Sequence, residues 1–306
     1  RRTIVPGNPD QSLLIRMVEG LDKPRMPASG PPLTTQEKSL LRTWVLEGAL
    51  DDSSAFPGGV GAEKPLQLLS PKDGDRVRGY AVELCERVAE SIRARLGLAR
   101  LDVQWRGVDA AARLDAVAKG EVDAECGTTT ITLGRMEQVD FSVPFYVDGG
   151  SVLVRAEAKI ARLAGLKGRH IAAIPGTTTE RALTTQLTAI GAPATLVPVA
   201  SIGEGMAALA AGKVDGVAGD RIVLTWQRAR AAKPVSYAFV GDDFSYEPYA
   251  IVVRRDDPDF RLAVNRALVA LYRSGEIDAI FHRWFGGLGA PGPLLHAMFY
   301  LQQYQD

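Results

Sequence analysis

The chain has 306 residues, of which 46% are hydrophobic, and its 36 basic residues balance 36 acidic ones. This length allows two domains, or one two-lobed domain, with a sizeable core. The balanced charge argues against nucleic acid as a partner, and no apolar run reaches the roughly 18 residues of a membrane-spanning helix. The chain opens without an initiator Met or a visible secretory signal, so we expect any targeting information to lie upstream.

The cysteines and histidines do not predict a metal site. Cys85 and Cys126 form no CxxC pair, and the three histidines are scattered along the chain. Two interpretations of the cysteines remain open, because they can form a disulfide in an oxidising compartment or remain as two buried thiols.

Residues 1–50 are predicted to form a separate helical piece. In LTTQEKSLLRTWVLEGA, Thr34 and Glu37 have the spacing of a capping box, and apolar residues follow at helical intervals. Residues 51–58 are rich in Asp, Ser, Pro and Gly, which is the composition of a linker.

From residue 59 onwards, strand-like and helical stretches alternate. A helix is predicted over residues 79–96, and strands over LDVQW, VDAECG and SVLVR. This order favours an α/β fold with largely parallel sheets. Residues 111–127 and 203–220 share the plan of a helix, a turn and a short strand, which predicts two similar lobes with a ligand cleft between them.

The segment ECGTTTITLGR places polar residues at the carboxyl end of a strand, where open α/β sheets bind ligands. Thr128 and Thr130 offer hydroxyl groups, and Arg135 offers a planar fork that suits a carboxylate. The alternative interpretation is that the threonines simply suit a strand edge and that Arg135 is a solvated surface charge.

The segment AAIPGTTTERAL repeats this arrangement before a second helix. Thr177 and Glu180 match a capping box, and free N–H groups at the start of such a helix bind anions; Thr178 and Thr179 follow. Asp220 ends a later strand, where it can either cap the next helix or pair with a ligand ammonium group. One arginine, several hydroxyls and one carboxylate together complement an α-amino acid.

Motifs of the common catalytic sites are missing from the sequence. It has no GxSxG, HExxH or Walker-type loop, and no GxGxxG between a strand and a helix. We therefore do not expect an enzyme.

Residues from about 57 to 304 resemble the polar amino-acid-binding proteins of bacterial ABC transporters, which form solute-binding protein family 3. The resemblance is closest to the glutamate/aspartate-binding branch and rests on GYAVELCERVAESI, GEVDAECGTTTITLGRMEQVDFSVPFYVDGG, LAGLKGRHIAAIPGTTTERAL, YEPYAIVVRRDDPDFRLAVNRAL and SGEIDAIFHRWF. It implies a two-lobed periplasmic-binding-protein (type II) fold with crossing hinge strands, GGSVLVR and PYAIVVR. Lobe 1 would cover about 59–149 and 254–306, and lobe 2 about 155–247.

The resemblance also implies roles for individual residues. The first-lobe hydroxyls and Arg135 would hold the ligand α-carboxylate, the second-lobe threonines would contact it from the other side, and Asp220 would take the α-ammonium. Arg113 falls where the acidic branch has an arginine that faces the side-chain carboxylate. The implied ligand-binding set is Arg113, Thr128, Thr130, Arg135, Thr177, Thr178, Thr179 and Asp220.

Three departures from the acidic branch leave the particular amino acid open. Leu66 stands at an aromatic position, an arginine expected near residues 61–63 is missing, and Ile202 replaces a ligand-contacting histidine. Losing one arginine would remove a contact of roughly 1.5 to 3 kcal/mol.

The first 50 residues resemble a different family, the carboxyl half of the planctomycete-type cytochrome c domain, through IVPGNPDQSLLIRMV, RMPASGPPLT and LLRTWVLEGA. This resemblance implies that Met26 is an axial haem ligand, with ordinary packing as the alternative. The chain contains no CxxCH, so a covalent haem c would belong to a longer parent protein.

The sequence therefore predicts a periplasmic or extracytoplasmic monomer that binds a polar, acidic amino acid for an ABC permease or a sensor. One alternative is an enzyme that resembles cyclohexadienyl dehydratases, with Glu125 or Glu247 as the general acid. The other is a module that docks on a redox partner of the attached cytochrome.

Overall fold

The computed structural model describes residues 5, 8–23, 32–46, 66–71, 78–108, 110–241, 243–288 and 291–305. The predicted haem ligand Met26 and the predicted linker at 51–58 lie outside these residues. The chain divides into two compact units, which are residues 1–61 and residues 62–306.

The first unit is helical in its described part. After a 3-10 turn at Pro9–Gln11, it contains α1 (Leu13–Val18) and α2 (Thr35–Leu46). The capping box predicted for α2 is confirmed, because the N–H of Thr34 donates to the Glu37 carboxylate at 2.7 Å and the N–H of Glu37 donates to the Thr34 hydroxyl at 3.2 Å. The Arg42 guanidinium on α2 pairs with Asp10 and Glu19, which joins α2 to the first helical segment.

The second unit alternates strands with helices. Its strands are β1 (Leu66–Pro71), β2 (Val103–Val108), β3 (Ala124–Glu125), β4 (Asp140–Phe141), β5 (Tyr146–Asp148), β6 (Gly150–Arg155), β7 (His170–Ala173), β8 (Thr195–Pro198), β9 (Gly216–Asp220), β10 (Tyr237–Phe239), β11 (Glu247–Tyr249) and β12 (Val252–Val253). Its helices are α3 (Tyr80–Arg95), α4 (Arg113–Ala118), α5 (Leu133–Met136), α6 (Thr178–Ala189), α7 (Ile202–Ala210), α8 (Arg221–Arg230), α9 (Pro258–Ser274), α10 (Glu276–Phe285) and α11 (Pro293–Leu301). No helix in the described part of the chain has the length and apolar character needed to cross a bilayer.

The two lobes have sheets of the same topology. The first-lobe sheet has the order β2-β1-β3-β12-β4, and the second-lobe sheet has the corresponding order β8-β7-β9-β6-β10. In each sheet the first three strands are parallel, and the fourth strand pairs antiparallel with both of its neighbours. The α/β two-lobed prediction is therefore confirmed, but both sheets are mixed rather than largely parallel. The internal repeat read from the sequence corresponds to α4–β3 in one lobe and α7–β9 in the other.

The lobes are joined by crossing strands, of which the first lies just before the predicted GGSVLVR and the second overlaps the start of the predicted PYAIVVR. The crossing pair is β5 with β11, in which Asp148 faces Glu247 and Tyr146 faces Tyr249. The segment predicted as the first crossing strand instead forms β6, the second-lobe strand between β9 and β10. Its residues 152–154 are almost completely buried, and a continuous apolar run of this kind is typical of a central strand.

Each lobe has a hydrophobic core against its own sheet. In the second lobe, Leu183 of α6 packs on one face of the sheet, and Leu209 of α7 and Leu224 of α8 pack on the other. In the first lobe, Val117 of α4 packs with Phe141 and Val252. The helix starts and strand ends that surround the cleft are therefore held by rigid elements.

A disulfide joins Cys85 of α3 to Cys126, immediately after β3. Of the two interpretations left open by the sequence, the structure has the disulfide. Since these are the only two cysteines in the chain, neither offers a free thiol for covalent attachment of haem.

We expect the disulfide to contribute strongly to stability. It closes a loop of 41 residues, for which the chain-entropy relation gives about 4 kcal/mol at 25 °C. Urea denaturation of the oxidised and the reduced protein should therefore differ by roughly this free energy of unfolding. A Cys85→Ser/Cys126→Ser variant serves as the control, because it should match the reduced protein and should not respond to reductant. Equal midpoints for oxidised and reduced protein would contradict the prediction.

Candidate functional site

Side chains from both lobes meet beside the hinge pair β5–β11. From the first lobe, the segment after β3 passes through Thr128 and Thr130 to α5. From the second lobe, the N-terminus of α6 brings Thr178 to the same place, and the Oγ1 atoms of Thr130 and Thr178 lie 3.4 Å apart. The lobes therefore meet at residues that the sequence predicted for the ligand.

A buried carboxylate of the protein joins these two threonines. The Glu247 side chain is 1% exposed, and its Oε2 accepts the Thr130 hydroxyl at 2.6 Å and the Thr178 hydroxyl at 2.7 Å. Its Oε1 accepts the Ser245 hydroxyl at 2.6 Å. Since these hydrogen bonds bring residues of both lobes to one carboxylate, Glu247 connects the lobes, and we call this set of contacts the Glu247 latch. A ligand carboxylate then needs other donors, or it must displace Glu247.

Thr177 has a local role as the N-cap of α6. Its hydroxyl accepts the Glu180 N–H at 3.2 Å and donates to the Ile174 carbonyl at 2.8 Å. The predicted cap is confirmed, although the Glu180 carboxylate accepts the N–H of Gly176 rather than that of Thr177. The Thr177 side chain does not contact the other residues predicted for the ligand. The N–H groups in the first turn of any α-helix, including α6, have no acceptor within the helix.

Thr179 and Asp220 form a second polar contact within the second lobe. The Thr179 hydroxyl donates to Asp220 Oδ1 at 2.7 Å. Although Asp220 directly precedes α8, its side chain makes no capping bond, so the capping interpretation is wrong. Burial raises the pKa of Asp220, and the Thr179 hydrogen bond and the charge of Arg113 oppose this rise.

Arg135 lies on α5 and is turned back along the segment that carries Thr130. Its guanidinium donates to the Thr130 carbonyl at 2.7 Å. Burial and the positive charges of Arg113 and Arg181 lower the pKa of Arg135 to about 10. Arg135 remains protonated at neutral pH, but an additional negative charge beside it would be stabilising.

Arg113 opens α4 beside a fully buried acid of β3. Its guanidinium lies 3.9 Å from Glu125 Oε1, and the Arg113 side chain is 11% exposed. Glu125 Oε2 accepts the Thr129 hydroxyl at 2.6 Å, but its Oε1 has no hydrogen-bond partner. Burial raises the pKa of Glu125, while Arg113 and Thr129 act in the opposite direction. Arg113 also acts electrostatically on Asp220.

Asp148, at the end of β5, is a further acid at the hinge and has Asp220 as its acidic neighbour. Asp148 Oδ2 accepts the Ile222 N–H at 2.9 Å and the Tyr249 hydroxyl at 3.2 Å. Burial is the main cause that raises the pKa of Asp148 to about 7, and the negative charge of Asp220 adds to it. This corner of the cleft therefore has an excess of negative charge.

Several residues at the site were missed or given another role by the sequence. Glu247 was considered only as a general acid, although its place in a hinge strand next to a predicted crossing segment could have indicated a structural role. Arg181 is three residues after Thr178 and therefore on the same helix face, but an arginine in a helix is usually a solvated charge. Asp148 and Tyr249 have no sequence signal of their own. Among the described residues, no cluster of side chains is suited to a metal ion.

Comparison with known proteins identifies relatives of most of the chain. Residues 59–287 match the bacterial extracellular solute-binding proteins, family 3. The L-glutamate/L-aspartate-binding protein of Pseudomonas aeruginosa is 32% identical over 224 residues, which cover 73% of this chain and 74% of the relative. The glutamate/aspartate import solute-binding protein of Escherichia coli is 27% identical over 210 residues, covering 69% and 70%.

Solved structures show the same fold. The arginine-, lysine-, histidine-binding protein ArtJ of Geobacillus stearothermophilus has a TM-score of 0.65 and 21% identity, and the match covers 77% of this chain and 99% of that one. At this identity the comparison bears on the fold alone.

Removing the hydrogen bond between Thr178 and Glu247 should open the lobes in the absence of ligand. In Thr178→Val the second lobe loses its hydroxyl bond to a buried carboxylate, which is worth roughly 1.5 to 3 kcal/mol. Small-angle X-ray scattering should show a larger radius of gyration than for the unaltered protein. Thr184→Val is a matched control, because the Thr184 hydroxyl donates to a carbonyl of its own helix. The latch would be refuted if both variants scattered like the original chain.

The stability of the protein should fall as Asp148 ionises. Its pKa is about 7 in the folded chain against an ordinary 3.8, so the folded state binds more protons between these values and loses stability as pH rises through this window. The shift corresponds to at most about 4 kcal/mol. Asp148→Asn should therefore gain stability relative to the original at pH 8 but not at pH 4, as measured by urea denaturation.

The exposed Asp102 provides the control for this experiment. Asp102→Asn should keep the pH dependence of the original protein. A stability difference between Asp148→Asn and the original that is the same at both pH values would refute the assignment.

Proposed function

Since the chain belongs to family 3 of the bacterial extracellular solute-binding proteins, we propose that its cleft binds a polar amino acid with an acidic side chain, glutamate or aspartate, for uptake through an ABC transporter. The relatives from Pseudomonas aeruginosa and Escherichia coli are both glutamate/aspartate-binding proteins. Their shared specificity supports the acidic class for this protein.

One observation carries the proposal, namely the meeting of cationic, anionic and hydroxyl groups from both lobes. Arg135 contacts the Thr130 carbonyl, Thr130 lies 3.4 Å from Thr178, and the neighbouring Thr179 donates to Asp220. A zwitterion placed here would have the Arg135 guanidinium near its α-carboxylate and the Asp220 carboxylate near its α-ammonium group.

The α-carboxylate would be held from two sides. Arg135 offers a planar pair of donors, and the positive charges around it favour an anion. The N-terminus of α6 would face it from the second lobe with the backbone N–H groups of Thr178 and Thr179, since the Glu180 N–H is already capped by Thr177. Such N–H groups bind anions together with the helix dipole. Because Thr130 and Thr178 donate to Glu247, these backbone groups and Arg135 carry most of the binding.

The α-ammonium group would pair with Asp220. This carboxylate already accepts the Thr179 hydroxyl, and burial disfavours its charge. A ligand ammonium would offset that cost, since a charge-assisted hydrogen bond is stronger than a neutral one. Asp148 lies close enough to act on Asp220 electrostatically and so adds to the negative potential.

The second carboxylate of glutamate or aspartate would face Arg113. Its guanidinium is held at 3.9 Å from the buried Glu125, which fixes its position without a direct hydrogen bond between them. Arg181 adds positive charge from the second lobe, which acts on Arg135.

Ligand binding would be coupled to lobe closure. A ligand that touches both lobes favours the closed state by its differential affinity for the two states. In this protein the Glu247 latch already favours closure, so less of the binding free energy is spent on it. We propose that an ABC permease or a sensor reads the closed monomer.

Two rival functions have weaker support. The relatives are solute-binding proteins rather than enzymes, so we expect no turnover. A redox-docking module would not need Arg113, Arg135 and Asp220 within electrostatic reach of one another. The disulfide fits an extracytoplasmic location, because such bonds persist in oxidising compartments.

Calorimetric titration tests the proposal. Glutamate or aspartate should bind, and Arg135→Ala should weaken both by about ten- to a hundredfold, as expected for one charge-assisted contact. Arg113→Ala should weaken glutamate but leave glutamine nearly unchanged, because only glutamate has the second carboxylate.

Arg100→Ala is the control for charge removal, since the Arg100 side chain is 83% exposed and distant in sequence from the site. The proposal fails if glutamate, aspartate, glutamine and arginine all give no heat. The assignment of Arg113 fails if its replacement weakens glutamate and glutamine equally.

A further inference from the structure

A second cavity adjoins the proposed amino-acid site on the side of α3, α8 and α10. It has a volume of about 380 Å³ and shares Thr128 with that site. Most of the residues proposed to bind the amino acid do not line it. Its volume lies within the range of small-molecule sites.

Aromatic rings form the walls of this cavity. The rings from the first lobe and the hinge are those of Tyr80, Tyr146, Tyr249, Trp284 and Phe285. They support one another, because Tyr146 stacks on Tyr249 with a centroid distance of 5.8 Å and Tyr80 contacts Phe285 at 5.2 Å. The walls are therefore preorganised for a flat apolar group.

The opposite wall comes from α8 of the second lobe. Ile222, Val223 and Trp226 line it, and Trp226 is 40% exposed despite its size. An exposed tryptophan that faces rings of another lobe is typical of a binding surface rather than of a core. A molecule held here would touch both lobes.

Positive charge is the polar feature of the cavity. Arg78 and Arg230 line it, and the Arg230 guanidinium lies over the Trp226 ring at 5.8 Å. None of the described residues that line the cavity is an aspartate or a glutamate. Asp148 lies behind two other lining residues, since its carboxylate accepts the Ile222 N–H and the Tyr249 hydroxyl. An anionic group is therefore favoured beside the two arginines and not at that corner.

We propose that this cavity is a second binding site, which takes an aromatic carboxylate. The ring would lie between Trp226 and the rings of the first lobe, and the carboxylate would face Arg78 and Arg230. Because α8 begins directly after Asp220, a ligand in this cavity would also hold α8 against the first lobe and so promote closure.

Phenylacetate is a suitable probe for the full chain. Two of the four tryptophans line the cavity, so binding should change the tryptophan emission and give heat in calorimetry. Phenethylamine, which has a similar ring with the opposite charge, should not bind. Absence of phenylacetate binding at millimolar concentration, or equal binding of the two probes, would overturn the proposal.

Two variants locate the ligand. Trp226→Ala should weaken phenylacetate by up to about tenfold, as expected for one aromatic contact. Ile222→Trp should abolish binding by filling the cavity. Trp105→Phe, on β2 away from the cavity, is the control and should bind like the original. If both cavity variants bind phenylacetate normally, the proposal is wrong.

Phenylacetate binding to an Arg135→Ala variant distinguishes the cavity from the amino-acid site. Arg135→Ala should leave phenylacetate binding unchanged, because this residue does not line the cavity. If Arg135→Ala abolishes it, the ring occupies the amino-acid site and the second site does not exist. This outcome is distinguishable from failure of the proposed function, which is judged by glutamate and aspartate binding alone.

Discussion

The hydrogen bonding of the Glu247 carboxylate is the interaction on which the site depends. A buried carboxylate is costly unless donors surround it, and here three hydroxyls do so at 2.6 to 2.7 Å. Because these donors come from the first lobe, the second lobe and the segment before β11, the solvation of one charge requires both lobes to be in place. The positions of Thr130 and Thr178 in the cleft therefore depend on their hydrogen bonds to Glu247.

The charges around the cleft follow a gradient from one end to the other. Arg113, Arg135 and Arg181 bring positive charge to the α5–α6 end, where Glu125 and Glu247 partly offset it, whereas Asp148 and Asp220 make the hinge end negative. Burial is the main cause that lowers the pKa of Arg135 and raises the pKa of Asp148, and neighbouring like charges add to each shift. A zwitterion aligned along this gradient would relieve both at once, which is why an amino acid suits the cleft better than a simple anion.

The fold was more predictable from the sequence than the site. Apolar periodicity identified α3, and the repeated helix, turn and strand identified two lobes. The sequence misplaces the first crossing strand because residues 152–154 of β6 form a buried apolar run, which does not distinguish a central strand from a hinge. At the site, the hydroxyls and arginines had sequence signals. The competition of Glu247 for Thr130 and Thr178 had none, because it joins residues 117 and 69 positions apart.

The disulfide lies in only one of the two lobes, although their sheets have the same topology. It joins α3 to the residue that follows β3 in the first lobe, whereas the second lobe has no cysteine. Segments of lower local stability open more often, so the two lobes should open at different rates. The amide hydrogens of α6 and β9 should therefore exchange with solvent before those of α3. The second lobe, which carries Thr178 and Asp220, is then the more flexible of the two, and it moves relative to a more rigid first lobe.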